Sequence, residues 1–141
     1  MQTFLPYPDL YKSVECLDNR RLGKQRVEAF QILKALRGET KGWVNHPATR
    51  MWEGYEPTLR MYLRACIKEW IKRGFNNTME IPEIEELHDL PWWLGDNRLH
   101  SSHRANLLRK DPMHYGRFGW DEDPCDPYWW PHQHASHGVV E

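Results

Sequence analysis

The sequence predicts an all-α, compact single-domain fold with an irregular N-terminal segment and an irregular C-terminal tail. Three observations predict it. Apolar residues recur at helical spacing in several stretches. No stretch of useful length alternates apolar and polar residues as a half-buried strand does. Loops marked by Pro, Gly and Asn separate the periodic stretches. A chain of 141 residues fits one domain, and at that size about 68–70% of the unfolded surface can be buried. The expected division is a helical domain over residues 1–120 and an acidic, aromatic- and His-containing tail over residues 121–141.

Pro6 and Pro8 disfavour helix before them, so the chain opens extended. Asp9 or Ser13 can cap a short helix ending near Cys16, and Asp18 can cap the next. From Asp18, Leu22, Arg26, Ala29, Phe30, Leu33 and Leu36 recur at three- and four-residue spacings, giving an amphipathic helix to Gly38, a suitable left-handed terminus. Residues 39–46 form a loop. His46-Pro47 opens a short helix that Gly54 interrupts. Pro57 suits the first turn of a longer helix, carried by Leu59, Tyr62, Leu63, Cys66, Ile67, Trp70 and Ile71 and ended by Gly74. An acidic stretch, Glu80, Glu83, Glu85 and Glu86, has room for one or two helical turns among loops. A last helix runs from about Asp96 to Arg109, and Asp111-Pro112 stops it. Beyond Trp120 no period remains. Tyr128, Trp129 and Trp130 are read as pins that hold the tail to the domain, with insertion near bases as the alternative, and His132, His134 and His137 as a frayed end.

No apolar run is long enough to span a bilayer. The first residues lack the basic and apolar regions of a signal peptide. Three widely spaced cysteines, Cys16, Cys66 and Cys125, with no CxxC pair, suggest free thiols in a reduced, cytoplasmic setting. The net charge of −1 hides a block pattern. Residues 1–78 hold 14 Lys/Arg against 8 Asp/Glu, and residues 97–120 hold 5 against 1. Residues 79–96 and 121–141 hold 6 and 5 acids and no Lys or Arg. Two basic blocks can build a local positive field on a near-neutral molecule; the alternative is ordinary solvated surface.

Three constellations can carry chemistry. In LDNRRLGKQRVE (17–28), Arg20, Arg21, Lys24 and Arg26 crowd the start of a helix, and positions 21, 24 and 28 align on one face. Such a density of donors suits phosphates, and Arg supplies planar, bidentate ones. A carboxylate among cations stays ionised, so Glu28 can stabilise positive charge developing at a sugar carbon or accept a proton. Read alone, Glu28 is more simply the i,i+4 partner of Lys24. In LHSSHRANLLRKD (99–111), His100, His103 and Arg104 share a face, and Arg109 and Lys110 extend the patch. Phosphate or sugar contact is the favoured reading. Metal binding by HxxH alone is a weak signal, because no third ligand stands at a characteristic spacing. In HPATRMWEGY (46–55), His46, Arg50, Trp52 and Tyr55 combine charge with flat rings, as base stacking needs, although Trp52 and Tyr55 are individually better read as core. Phosphate-cradling GxxxxGK[ST], GxGxxG, GxSxG, HExxH and the HxE…PCxxC deaminase pattern are all missing.

The order of these segments resembles the pyrimidine-dimer DNA glycosylase (endonuclease V) family, and more closely its bacterial branch. The resemblance rests on LDNRRLGKQRVEA, HPATRMWEGY, the long helix ending KRGF, and LPWWLGDNRLHSSHRANLLRKDPMHY, over about residues 1–120. It implies an all-helical domain without metal or cofactor, acting on damaged or modified pyrimidines in double-stranded DNA. It also implies a bifunctional mechanism. The N-terminal α-amine attacks C1′ and displaces the base, and the resulting imine permits β-elimination. An α-amino group titrates near 7.7–8.0, so much of it can be neutral and nucleophilic. Gln2 is large, so the amine in question is that of Met1, with Lys24 as the second candidate amine. Glu28 falls at the family's catalytic glutamate. Arg20, Arg21, Lys24 and Arg26 fall in the segment that grips DNA around a flipped or kinked site. A monomer is expected. Two other readings stand beside a glycosylase with AP-lyase activity: a non-catalytic nucleic-acid-binding module of the same fold, and a hydrolase of modified nucleosides.

Overall fold

The structure, a computed structural model, describes residues 1–84 and 88–131. Among these residues it is helical and contains no strand. The helices are α1 (Leu10–Glu15), α2 (Asn19–Leu36), α3 (Pro47–Arg50), α4 (Glu56–Lys72), α5 (Asn97–Lys110) and α6 (Pro112–Tyr115), followed by one 3-10 turn at Gly116–Phe118.

Aspartates start four of these helices, α6 among them. Asp9 accepts from Lys12 N, Asp18 from Arg21 N and Asp96 from Arg98 N, each satisfying an orphan donor of a first turn. His46 does the same for α3 with its ring, Nδ1 accepting from Ala48 N at 3.0 Å. Gly38 and Gly74 adopt left-handed φ just past the ends of α2 and α4, conformations that glycine enters without a Cβ penalty.

α2 and α4 pack face to face, and α1 lies against α4. The buried face of α2 is Leu22, Gln25, Ala29, Ile32 and Leu33. This corrects the expected stripe at two positions. Phe30 is 41% exposed, and Arg26 turns away to lie over the Trp70 ring (4.3 Å) and donate to Asn77 (2.9 Å). Both lie on one side of the expected stripe, and the buried face is rotated away from them toward Gln25, Ile32 and Ala35. Ile71 is also exposed, because the last turn of α4 overruns the core. The buried rings Trp52 and Trp93 meet edge to face at 4.9 Å, which agrees with the core reading of Trp52.

α6 extends the helical structure beyond the expected stop. Asp111 ends α5 and then caps α6, accepting from His114 N at 3.1 Å. The tail as far as residue 131 is tied to α5. Arg104 pairs with Glu122 (2.8 Å), Asn106 donates to Asp126 O (3.2 Å) and Trp129 N donates to the Ser102 hydroxyl (3.1 Å). Glu85 and Glu86, and His132, His134 and His137, lie outside the described residues. No helix of the described residues is long and apolar enough to cross a membrane.

Candidate active site

The site is built around the first five residues. They form no helix or turn and, apart from partly covered Met1, are buried, yet among the described residues no strand lies beside them to bond their peptide groups. A buried peptide group without a partner is costly, and side chains from three helices supply the partners. Gln25 of α2 substitutes for a strand: its Oε1 accepts from Phe4 N (2.7 Å) and its Nε2 donates to Gln2 O (2.9 Å). From α4, the Tyr62 hydroxyl donates to Phe4 O (2.8 Å). The Trp52 indole donates to the Thr3 hydroxyl (3.0 Å). From α5, His103 Nδ1 accepts from Leu5 N (2.9 Å), His100 Nδ1 donates to Leu5 O (2.7 Å) and Arg104 donates to Pro6 O (2.7 Å). The series ends at Gln2 N, which donates to Glu28 Oε2 at 3.0 Å.

His100 and His103 therefore hold the C=O and the N–H of one residue, Leu5, on either side of its Cα. That corrects the expected DNA-facing role. They do share a helical face, but the chain's own N-terminal segment covers it, leaving them 1% and 0% exposed. His100 Nε2 also accepts from Gly95 N (2.9 Å), which fixes its proton on Nδ1. Among the described residues no group of three or more His, Cys, Asp or Glu stands ready to hold a metal ion.

The clamp has a consequence for stability. Burial, with His100 beside it, pushes the His103 imidazole down to about 3. An unfolded imidazole takes up its proton near 6.5, so acid binds the unfolded chain first. Stability is unaffected above pH 6.5 and falls as pH drops from there toward 3, by about 1.4 kcal/mol per pH unit from His103 alone. Urea midpoints at pH 7, 6, 5 and 4 should show this fall, and His103→Gln should flatten it.

Beside the segment lies a cleft of about 350 Å³, within the size range of small-molecule sites. Met1, Gln2 and Phe4 line it from the segment, Arg20, Arg21, Lys24, Gln25 and Glu28 from α2, Lys110 from α5 and Tyr128 from the tail. Two basic blocks thus meet at one carboxylate. Lys110 registers the crowding: burial first, then Arg21, Arg109 and Lys24, hold its ammonium below the usual lysine range, with Glu28 opposing. An anion in the cleft would relieve that repulsion. His46 is close by. Burial first, then the N-terminal amine, lower its pKa, and Glu28 raises it, so amine, carboxylate and imidazole share one locality.

Of the other residues expected to touch nucleic acid, several are committed elsewhere. Arg104 is held by Glu122 and Pro6 O. Arg26 faces Trp70 on the far side of α2. Arg109 ties the tail down by donating to Pro124 O (3.1 Å) and to the Asn106 side chain. Arg50 is exposed on α3 and does not line the cleft. Arg21 is partly engaged with Asp18 at 3.2 Å, whereas Arg20 and Lys24 are exposed. Sequence reasoning missed Gln2, Phe4 and Gln25 as lining residues. Gln25 did leave a trace, as a lone amide between Leu22 and Ala29 on an otherwise apolar stripe. Tyr128 is read in the sequence as a pin for the tail, with insertion near bases as the alternative; nothing local links it to the helix it faces, about 100 residues away. Burial pushes its phenol up to about 12.

A helical domain that fixes its own first residues beside one carboxylate, in a cleft lined by arginine and lysine, offers donors of the kind that phosphate oxygens accept from. The family model described as pyrimidine dimer DNA glycosylase matches residues 1–83, and the chain belongs to that family. It is thus a DNA repair glycosylase at the level of the family. No curated protein and no solved structure matches the chain. The matched span includes the extended segment, α1 to α4 and Glu28; Lys110 and Tyr128 lie beyond it.

Proposed function

We propose that this protein excises a damaged or modified pyrimidine from double-stranded DNA and then cuts the strand through an imine. The Met1 amine donates its lone pair to C1′, and the glycosidic bond breaks with its electrons leaving on the base. The amine loses its protons as the sugar ring opens to the imine. Loss of a C2′ proton then expels the 3′ phosphate by β-elimination. Glu28 stabilises the positive charge at C1′ and then accepts a proton. Arg20, Arg21, Lys24 and Lys110 hold the phosphates on either side, and Lys24 is the reserve amine. The protein acts as a monomer.

The observation that carries this reading is the 3.0 Å hydrogen bond from Gln2 N to Glu28 Oε2. It fixes Gln2 N on the carboxylate, and the residue bearing the amine follows one step (~3.8 Å between Cα atoms) along the chain from that anchored peptide. A reacting sugar needs both groups within reach.

Borohydride reduction during incubation with a duplex carrying one abasic site tests it. A covalent protein–DNA adduct is expected, with the modified peptide mapping to Met1. Absence of both an adduct and strand cleavage would leave a binding module and overturn the reading. The phosphate contacts have a separate test. Arg20→Ala and Lys110→Ala should each weaken binding to any duplex and reduce the slope of log affinity against log salt by about 0.9. An unchanged slope would remove that residue from the contact set.

A further inference from the structure

Trp43 stands out from the rest of the fold. Among the described residues it is the one non-glycine with positive φ, at 67°. At the five other left-handed positions, Gly38, Gly54, Gly74, Gly95 and Gly119, the chain uses glycine, which enters that region without strain. A β-substituted side chain there is strained. Burial does not compensate, because the indole is 50% exposed. The indole meets the His46 ring edge to face, 5.5 Å between centroids. A strained residue holding a large flat ring in water invites a functional account.

Its neighbours say where the ring stands. From Trp43 the aromatic contacts run to His46, from His46 to Trp130 at 6.3 Å, and from Trp130 to Tyr128 at 5.5 Å. Tyr128 lines the cleft, and His46 feels both the N-terminal amine and Glu28. The row therefore leads from Tyr128 in the cleft through Trp130 and His46 to an exposed indole outside it, whereas the cleft's cationic residues come from α2 and α5. Cations grip the backbone, and flat apolar rings take up unstacked bases.

We infer that Trp43 is a stacking wedge: its indole enters the duplex beside the damaged nucleotide and stacks on a neighbouring base. The inference rests on the glycosylase reading and adds to it the residue that holds the helix open. The left-handed backbone is what projects the ring, as wedge residues in kinked DNA must project.

The test uses the full-length protein and two duplexes, one with a stable abasic-site analogue and one undamaged. The ratio of the two affinities cancels the phosphate term, which both duplexes share. Trp43→Ala should lower that ratio about 10- to 100-fold, as expected for the loss of one base–ring stack, and Trp43→Phe should restore most of it. Thermal midpoints of both variants within a few degrees of wild type would separate stacking from folding. An unchanged ratio in Trp43→Ala overturns the wedge. A ratio lost in Trp43→Ala when even the wild type forms no adduct sustains the wedge and overturns the excision chemistry alone.

Discussion

Glu28→Gln is expected to cut excision about a thousandfold while DNA binding stays within a few-fold of wild type. Glutamine keeps the shape, and its Oε1 can still accept from Gln2 N, so the start of the chain keeps its place. What disappears is the charge. Removing one preorganised electrostatic group from a charge-developing step costs about 10²–10³, and losing a positioned proton acceptor costs about 10²–10⁴. The substitution removes both without emptying the site. Binding moves in the other direction: Glu28 is the one anion among the lining residues, so its neutralisation strengthens attraction for phosphate if it changes it at all. Single-turnover excision on a lesion-bearing duplex, measured beside a gel shift at the same salt, separates the two effects. Excision within threefold of wild type would remove Glu28 from the chemistry, and a parallel loss of binding would make its role structural.

The local rules were legible and the long-range ones were not. Asp9, Asp18 and Asp96 mark helix starts because an N-cap is decided within three residues. The alignment of Arg21, Lys24 and Glu28 follows from helical geometry alone, and the structure places all three on the cleft. His100 and His103 show the limit. Their spacing fixes a shared face, but nothing nearby in sequence says that Leu5, 95 and 98 residues away, will cover it. Without that covering segment the same HxxH pattern would face solvent or a metal. Gln25 is the same problem inverted: an amide on a buried face has meaning only once an unpaired strand needs its two groups. Arg104 reads as a free cation until Glu122 and Pro6 O fold onto it. For His100, His103 and Arg104 a polar side chain was assigned to a ligand when the chain itself was the partner.

That partnership leads to the second large expected effect. Adding one residue before Met1 should lower formation of the trapped adduct by at least about a hundredfold and leave the fold intact. The clamp acts on peptide groups from Gln2 to Pro6, and none of those hydrogen bonds involves the amine. An extra residue therefore cannot be absorbed by sliding the segment. A slip of one residue would present Gln25, Tyr62, His103 and His100 with the wrong peptide groups throughout. The amine instead moves outward by up to about 3.6 Å, whereas a misplacement of about 1 Å can already cost 10² in a positioned reaction. Single-turnover trapping of wild type, the extended variant and Lys24→Ala distinguishes the two candidate amines. If Met1 is the nucleophile, the extension silences the protein and Lys24→Ala forms adduct, though with weaker DNA binding. The opposite pattern would transfer the imine to Lys24. It would also leave the clamp without a catalytic purpose, as a purely structural solution to burying an unpaired strand.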